Sequence, residues 1–303
     1  MESLSGPDSR GETAMRHINH PGPVAVVRRR VVDCAIRQAR VKLPRGEALL
    51  PALAKVIAAN GSRSAVARLQ GGGFDPFAYC MPAISPTPDH AVYFSDTYRP
   101  TGRITLENAS VTVGWKGSVP ALHCHGIWRD ASGRRLGGHV LPEESVICDP
   151  IDAWMSFIDG ASFEVLPNPE SGFSLLEPVV GAAGGMPTRG SFAMSIRPNE
   201  DFCTSVEAEC RGRGISLARV HGGVGSLIGV SFEDGREVVP FVTEVFIRDG
   251  FVSTNPAGEL LAQIDVALVD HEGGLSEGRL QRGENPVLVT FELIVEPIEF
   301  VSG

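Results

Sequence analysis

LPRGEALLPALAKVIAANG, residues 43–61, decides how the chain is to be read. Leu49, Leu53, Val56 and Ile57 recur at the spacing of a helix with one apolar face, and Gly61 follows where a left-handed C-terminal cap is needed. The helix runs into SAVARLQGGGF (64–74), an apolar run closed by glycines that reads as a strand. The same order returns later. IRPNEDFCTSVEAECRGRG (196–214) reads as a helix capped by Asn199 with Phe202 and Val206 on its buried face, and it precedes ISLARVHGGVGSLIGV (215–230). Arg68 and Arg219 then stand at matching positions before a Gly-Gly pair, so the layout is that of an internal repeat.

The echo continues outward. RITLENASVTVGW (103–115) corresponds to FVTEVFIRDGFV (241–252), which aligns Glu107 with Glu244. HCHGIWRDASGRRLGGH (123–139) corresponds to QIDVALVDHEGGLSEGR (263–279). Each half reads as one helix and several short strands separated by turn signals, an α+β plan of two tandem domains rather than alternating βαβ units. The expected organisation is an N-terminal basic arm and first strand (1–41), a first domain (42–165), a Pro/Gly/Ala-rich linker (166–190) and a second, degenerate domain (191–303). The irregular stretch 74–102 has no counterpart in the second half. It either covers the histidine-bearing region or is a plain surface insertion.

Composition narrows the class. With 303 residues, 43% of them hydrophobic, the chain has ample apolar surface for a packed interior. Its 27 basic and 36 acidic side chains give a net charge of −9, which disfavours attraction to the phosphate backbone of DNA. The basic residues concentrate early, with Arg28, Arg29, Arg30, Arg37, Arg40, Lys42 and Arg45. That run reads as a solvated face, or as an arm touching an anion or an acidic neighbour. No apolar window reaches the length of a bilayer span, and MESLSGPDSRGETAMR lacks the apolar core of a secretory signal, so a cytoplasmic location is expected. The six scattered cysteines form no C-x-x-C pair and read as free thiols.

The chemistry concentrates in three histidines. On a strand His123 and His125 project to one face while Cys124 projects to the other. RDASG (129–133) is a turn sequence, and pairing about Ser132 sets His139 across from His125. Three neutral imidazoles suit Zn²⁺ or another divalent transition metal and leave a coordination position open. The corresponding residues of the second half are Gln263, Asp265 and Arg279, a set that cannot hold the same ion. One metal per chain is therefore expected, with Arg279 pairing with Asp265. Glu107 is a candidate proton acceptor beside the metal or support for a histidine ring, and equally a structural carboxylate. Arg68 is a candidate for binding an anionic group, or a member of an ion pair. The glycine-rich runs lack the Lys-Ser/Thr ending of a phosphate loop.

Gly46 and Glu47 near a helix start, Leu106 and Glu107 on a strand, and PALHCHGIWRDASGRRLGGHVL (120–141) together resemble the PPC domain, the plant- and prokaryote-conserved family. The likeness covers about 42–158. A second stretch, about 191–299, keeps the layout without the histidines. The resemblance implies two tandem PPC-like domains, each a mainly antiparallel sheet with one packed helix. It further implies a tendency to form trimers and, as in bacterial members, a metal, zinc, held by His123, His125 and His139. Plant members carry an AT-hook built on Arg-Gly-Arg-Pro. Here CRGRGI (210–215) has Gly214 in place of the proline. The leading functional expectation is a metal-dependent enzyme, a lyase or hydrolase, or a binder of a small anionic molecule. The alternatives are a DNA-associated regulatory protein and a metal-stabilised assembly module.

Overall fold

The computed structural model describes residues 15–181 and 190–298. Its strands are almost wholly antiparallel and form an eleven-stranded sheet, a seven-stranded sheet and a small hairpin, with two helices among the described residues. Helix Leu49–Ala59 packs on the larger sheet, and helix Phe202–Gly212 packs on the smaller one.

Alternation along the strands explains how the sheets stack. In strand Phe192–Ile196, Phe192, Met194 and Ile196 join the core around helix Phe202–Gly212, whereas Ala193 joins a cluster shared with Cys34, Val66, Ile158 and Phe163 of the other half. In strand Ser64–Gln70, Ala65, Ala67 and Leu69 face their own helix and Val66 enters the shared cluster. Each sheet thus buries one face under its helix and the other against its partner sheet. Where they meet the backbones are close: a Cβ at Gly222, which has φ +60°, would stand 2.7 Å from the Cβ of Val66. Only glycine fits both that conformation and that gap.

The helix ends show which local signals held. Gly61 adopts φ +71°, the cap expected of it. The second helix is capped by Asp201, whose side chain accepts a hydrogen bond from the Thr204 N–H at 2.8 Å, and not by Asn199. Asn199 sits at φ +65° and is spent elsewhere: its amide accepts from the Ile18 N–H and donates to the Ile18 carbonyl.

Two further expectations change. Part of the stretch expected as a linker is sheet, because Ala161–Pro167 pairs along its whole length with Ser174–Val180. Leu175, Leu176 and Val179 put apolar side chains on both faces of this strand, with Leu176 buried and the other two half-buried, without the regular alternation that marks a strand in sequence. Residues 182–189 of that stretch lie outside the described residues, as do 1–14 of the arm. The arm itself is split between the sheets: Arg29–Asp33 pairs with Phe192–Ile196, and Ala35–Leu43 pairs with Ile151–Asp159. Its arginines meet acidic neighbours. Arg28 Nη1 lies 2.8 Å from the buried Glu170 carboxylate, and Arg29 reaches Glu200 and Glu209. All six cysteines are unpaired, and no helix among the described residues is long and apolar enough to cross a membrane.

Candidate metal centre

Strands Val119–Arg129 and Arg135–Val140 form the hairpin that carries the three histidines. Its turn is fixed by Asp130, whose Oδ1 accepts from the Ser132 N–H, the Ser132 hydroxyl and the Arg134 N–H. Register runs from there without slippage and sets His139 directly across from His125. Cys124 and Trp128 point to the helix side, and the histidines point between the two sheets.

The three rings converge. His123 Nε2 and His125 Nε2 are 3.0 Å apart, His139 Nδ1 is 3.3 Å from His125 Nε2, and the three ligand atoms all lie within 4.8 Å of one another. The outer nitrogens decide what these contacts are. His125 Nδ1 donates to the Val245 carbonyl at 3.0 Å, and His123 Nδ1 donates to the Glu292 carboxylate at 2.9 Å. With those protons placed on Nδ1, both Nε2 atoms present lone pairs to each other, which is unfavourable unless a cation stands between them. Two nitrogens bound to one ion at about 2.0–2.1 Å would be roughly 3.0–3.4 Å apart. The donor set therefore fits a divalent transition metal, and the carboxylate and carbonyl behind the rings are the supports that histidine ligands ordinarily have.

Burial keeps the His125 and His139 rings neutral. Burial, reinforced by the neighbouring His123 and His139, holds His125 well below the ordinary histidine range; burial and His123 hold His139 down at about 3. Burial pushes the carboxyls of Glu244 and Glu292 up. Glu244 Oε1 stands 3.9 Å from His125 Nε2, and its Oε2 has no hydrogen-bond partner. The hydroxyls of Ser110 and Thr112, in register beside His125 and His123, are likewise buried without partners. So many unsatisfied polar atoms around one point mark a place built for an ion, water or ligand.

The trio opens into a cavity of about 250 Å³ between the sheets. Val92, Tyr93 and Phe94, from the 74–102 insertion, form part of its wall, and the Phe94 ring lies 5.0 Å from that of His139. Of the two alternatives for this insertion, the structure thus shows the covering one.

Two sequence candidates lie elsewhere. Glu107 occupies a register shift between Leu106 and Asn108, where the bulge turns its carboxylate to Arg129 and Arg135, 2.9 and 2.7 Å away, and away from the rings. Arg68 lines a separate cleft with Arg40, Trp154 and Arg219, and its guanidinium donates to the Arg248 carbonyl at 2.6 Å. Glu244 and Glu292, supplied by the second half, were missed. The repeat alignment already matched Glu244 with Glu107, and Glu292 is a charge inside the apolar run VLVTFELIV, which is the available signal. In the second half, Asp265 and Arg279 take the opposed positions of His125 and His139 and pair at 3.0 Å.

Comparison with known proteins follows this geometry. No family model matches the chain, and no curated protein matches it. Solved structures similar to about half of it include a plant- and prokaryote-conserved (PPC) protein of Pyrococcus horikoshii, at 18% identity over 48% of this chain and 95% of that one, with a TM-score of 0.39. A metal-containing protein of Archaeoglobus fulgidus is similar at 16% identity over 46% of this chain and 92% of that one, with a TM-score of 0.39. A Ralstonia eutropha protein named as a candidate for DNA binding is similar at 20% identity over 45% and 88%, with a TM-score of 0.34.

Proposed function

We propose that His123, His125 and His139 hold one divalent transition-metal ion, zinc by preference, and that the protein uses it to bind or transform a small molecule in the adjoining cavity. The observation that carries this reading is the pair of facing Nε2 atoms at 3.0 Å, each with its outer nitrogen engaged by an acceptor. Held by three protein nitrogens, such an ion would keep a position open and would supply a Lewis acid for an oxygen of the bound molecule. Glu292 and the Val245 carbonyl fix the tautomers and ring orientations of His123 and His125. Glu244, unpartnered at one oxygen and beside His125, is the group placed to accept or return a proton; it takes the role for which Glu107 was a candidate.

We read the two sheets as copies of one plan in tandem, the second without a metal. The support is positional: residues fourteen apart, His125 with His139 and Asp265 with Arg279, are directly opposed in both hairpins. The ion pair replaces the ion. A DNA-associated role has less behind it, since Arg28 and Arg29 are engaged by Glu170, Glu200 and Glu209. We also propose that the chain assembles into trimers and works in the cytoplasm.

Elemental analysis of the purified protein tests the reading. One zinc or other divalent transition ion per chain is expected, falling to none in His125→Ala while the circular dichroism spectrum is retained. A metal-free wild type that takes up no zinc, cobalt or nickel on titration would refute it.

A further inference from the structure

The cavity beside the trio carries information about its occupant. Its walls are apolar, formed by side chains such as Val92, Leu122, Phe173 and Leu288. Tyr93 and Phe94 are 46% and 39% exposed; around the mouth Tyr93 stacks with Phe173, and Phe94 meets the same ring edge-on. Among the described residues no lysine or arginine lines the space. The acidic and imidazole side chains among its described lining residues are the three histidines and two buried carboxyls, Glu244 and Glu292, and Tyr93 adds a phenol. Two polar atoms on the wall, Glu244 Oε2 and Thr290 Oγ1, are buried and without partners.

These facts select by charge and by shape. An anionic head would lose its hydration in an apolar cavity beside two acidic side chains, with no guanidinium or ammonium among the described residues to receive it. A neutral hydroxyl or carbonyl suits the same end of the cavity, since a hydroxyl can donate to Glu244 Oε2 and either group can accept from the Thr290 hydroxyl. The remainder of the ligand meets aromatic and aliphatic carbon. A cavity of about 150 Å³ lined by such side chains admits benzene. The 250 Å³ here takes one ring and a short substituent.

We infer that the site is specific for an uncharged, chiefly apolar molecule of single-ring size that presents one hydroxyl to Glu244 and Thr290, or a carbonyl to Thr290, and not for the small anion that the sequence alone suggested. This rests on the proposed metal centre for the placing of the head, but the preference for a neutral ligand comes from the chain's own residues.

Benzyl alcohol and benzoate share a ring and differ in charge, so isothermal titration of each into the protein at neutral pH, with metal content measured on the same sample, tests the inference. Benzyl alcohol is expected to bind at least tenfold more tightly than benzoate, and Phe94→Ala, a substitution at the mouth, is expected to weaken it about tenfold without changing metal content. Equal or tighter binding of benzoate, or no detectable binding of benzyl alcohol to metal-replete protein, overturns the inference and leaves the metal centre standing. A protein that selects benzyl alcohol but never holds metal refutes the centre and keeps the ligand class.

Discussion

His125 shows how much chemistry position adds to a residue type. Its ring is 3% exposed, donates at one nitrogen to the Val245 carbonyl, and offers the other to His123 and His139. An imidazole so enclosed stays neutral, and neutrality is what metal ligation demands. The same enclosure has a consequence for the metal-free protein. His139 titrates near 6.5 in the unfolded chain and at about 3 when folded, and His125 is depressed in the same direction. Between those values the unfolded state binds more protons, so stability from these groups is full above pH 6.5 and is lost as pH falls toward 3. Denaturant titrations of metal-stripped protein should give a midpoint that declines over that window. His139→Asn, which has no group titrating there, should flatten the decline, and an unchanged slope would show that the ring is not enclosed in this way.

Among the elements, the hairpin was legible because its information is local. The turn residues, the H-x-H spacing and the distance from His125 to His139 determine the register without reference to anything distant. The sheet-on-sheet contact was not, because alternation shows that a strand has two faces and does not say what covers them. Val66 reads as one more apolar residue in SAVARLQ, yet it faces the other sheet. Strand Ser174–Val180 was hidden for a related reason, its pairing partner and buried face being set by tertiary context that outweighs nearby proline and glycine. Gly222 is where that context is tightest. Gly222→Ala places a methyl against Val66 and forces a left-handed backbone on a residue with a side chain, costs that together amount to about 2–4 kcal/mol of stability. In chemical denaturation, Gly222→Ala with Val66→Gly should lose less than the sum of the two single variants, since removing the Val66 Cβ that the new methyl would meet at 2.7 Å relieves the clash and leaves the backbone strain. Strictly additive losses would mean that the sheets do not touch there.

On the scale of the whole molecule, the candidate centre belongs to both halves. The ligand trio, legible in residues 123–139, lies on the larger sheet, whereas Glu292, Glu244 and the Val245 carbonyl come from the smaller one. No reading of one half at a time could assemble them, and this is why the sequence offers Glu107, the local candidate, in place of Glu244. An ion held in this way would contribute to the stability of the pair of sheets and not of one hairpin. A ligand that binds only the folded state stabilises it by about 2.7 kcal/mol at a hundred times its dissociation constant. Zinc added to metal-stripped protein should therefore raise a single cooperative melting transition. Glu292→Leu removes the acceptor behind His123 and leaves the three ligands in place, so it should weaken zinc binding by about 10–100-fold and reduce the upward shift at fixed zinc concentration. Calorimetry distinguishes the outcomes: two separated transitions, of which zinc moves one alone, would mean that the halves melt independently and that the smaller sheet has no part in holding the ion.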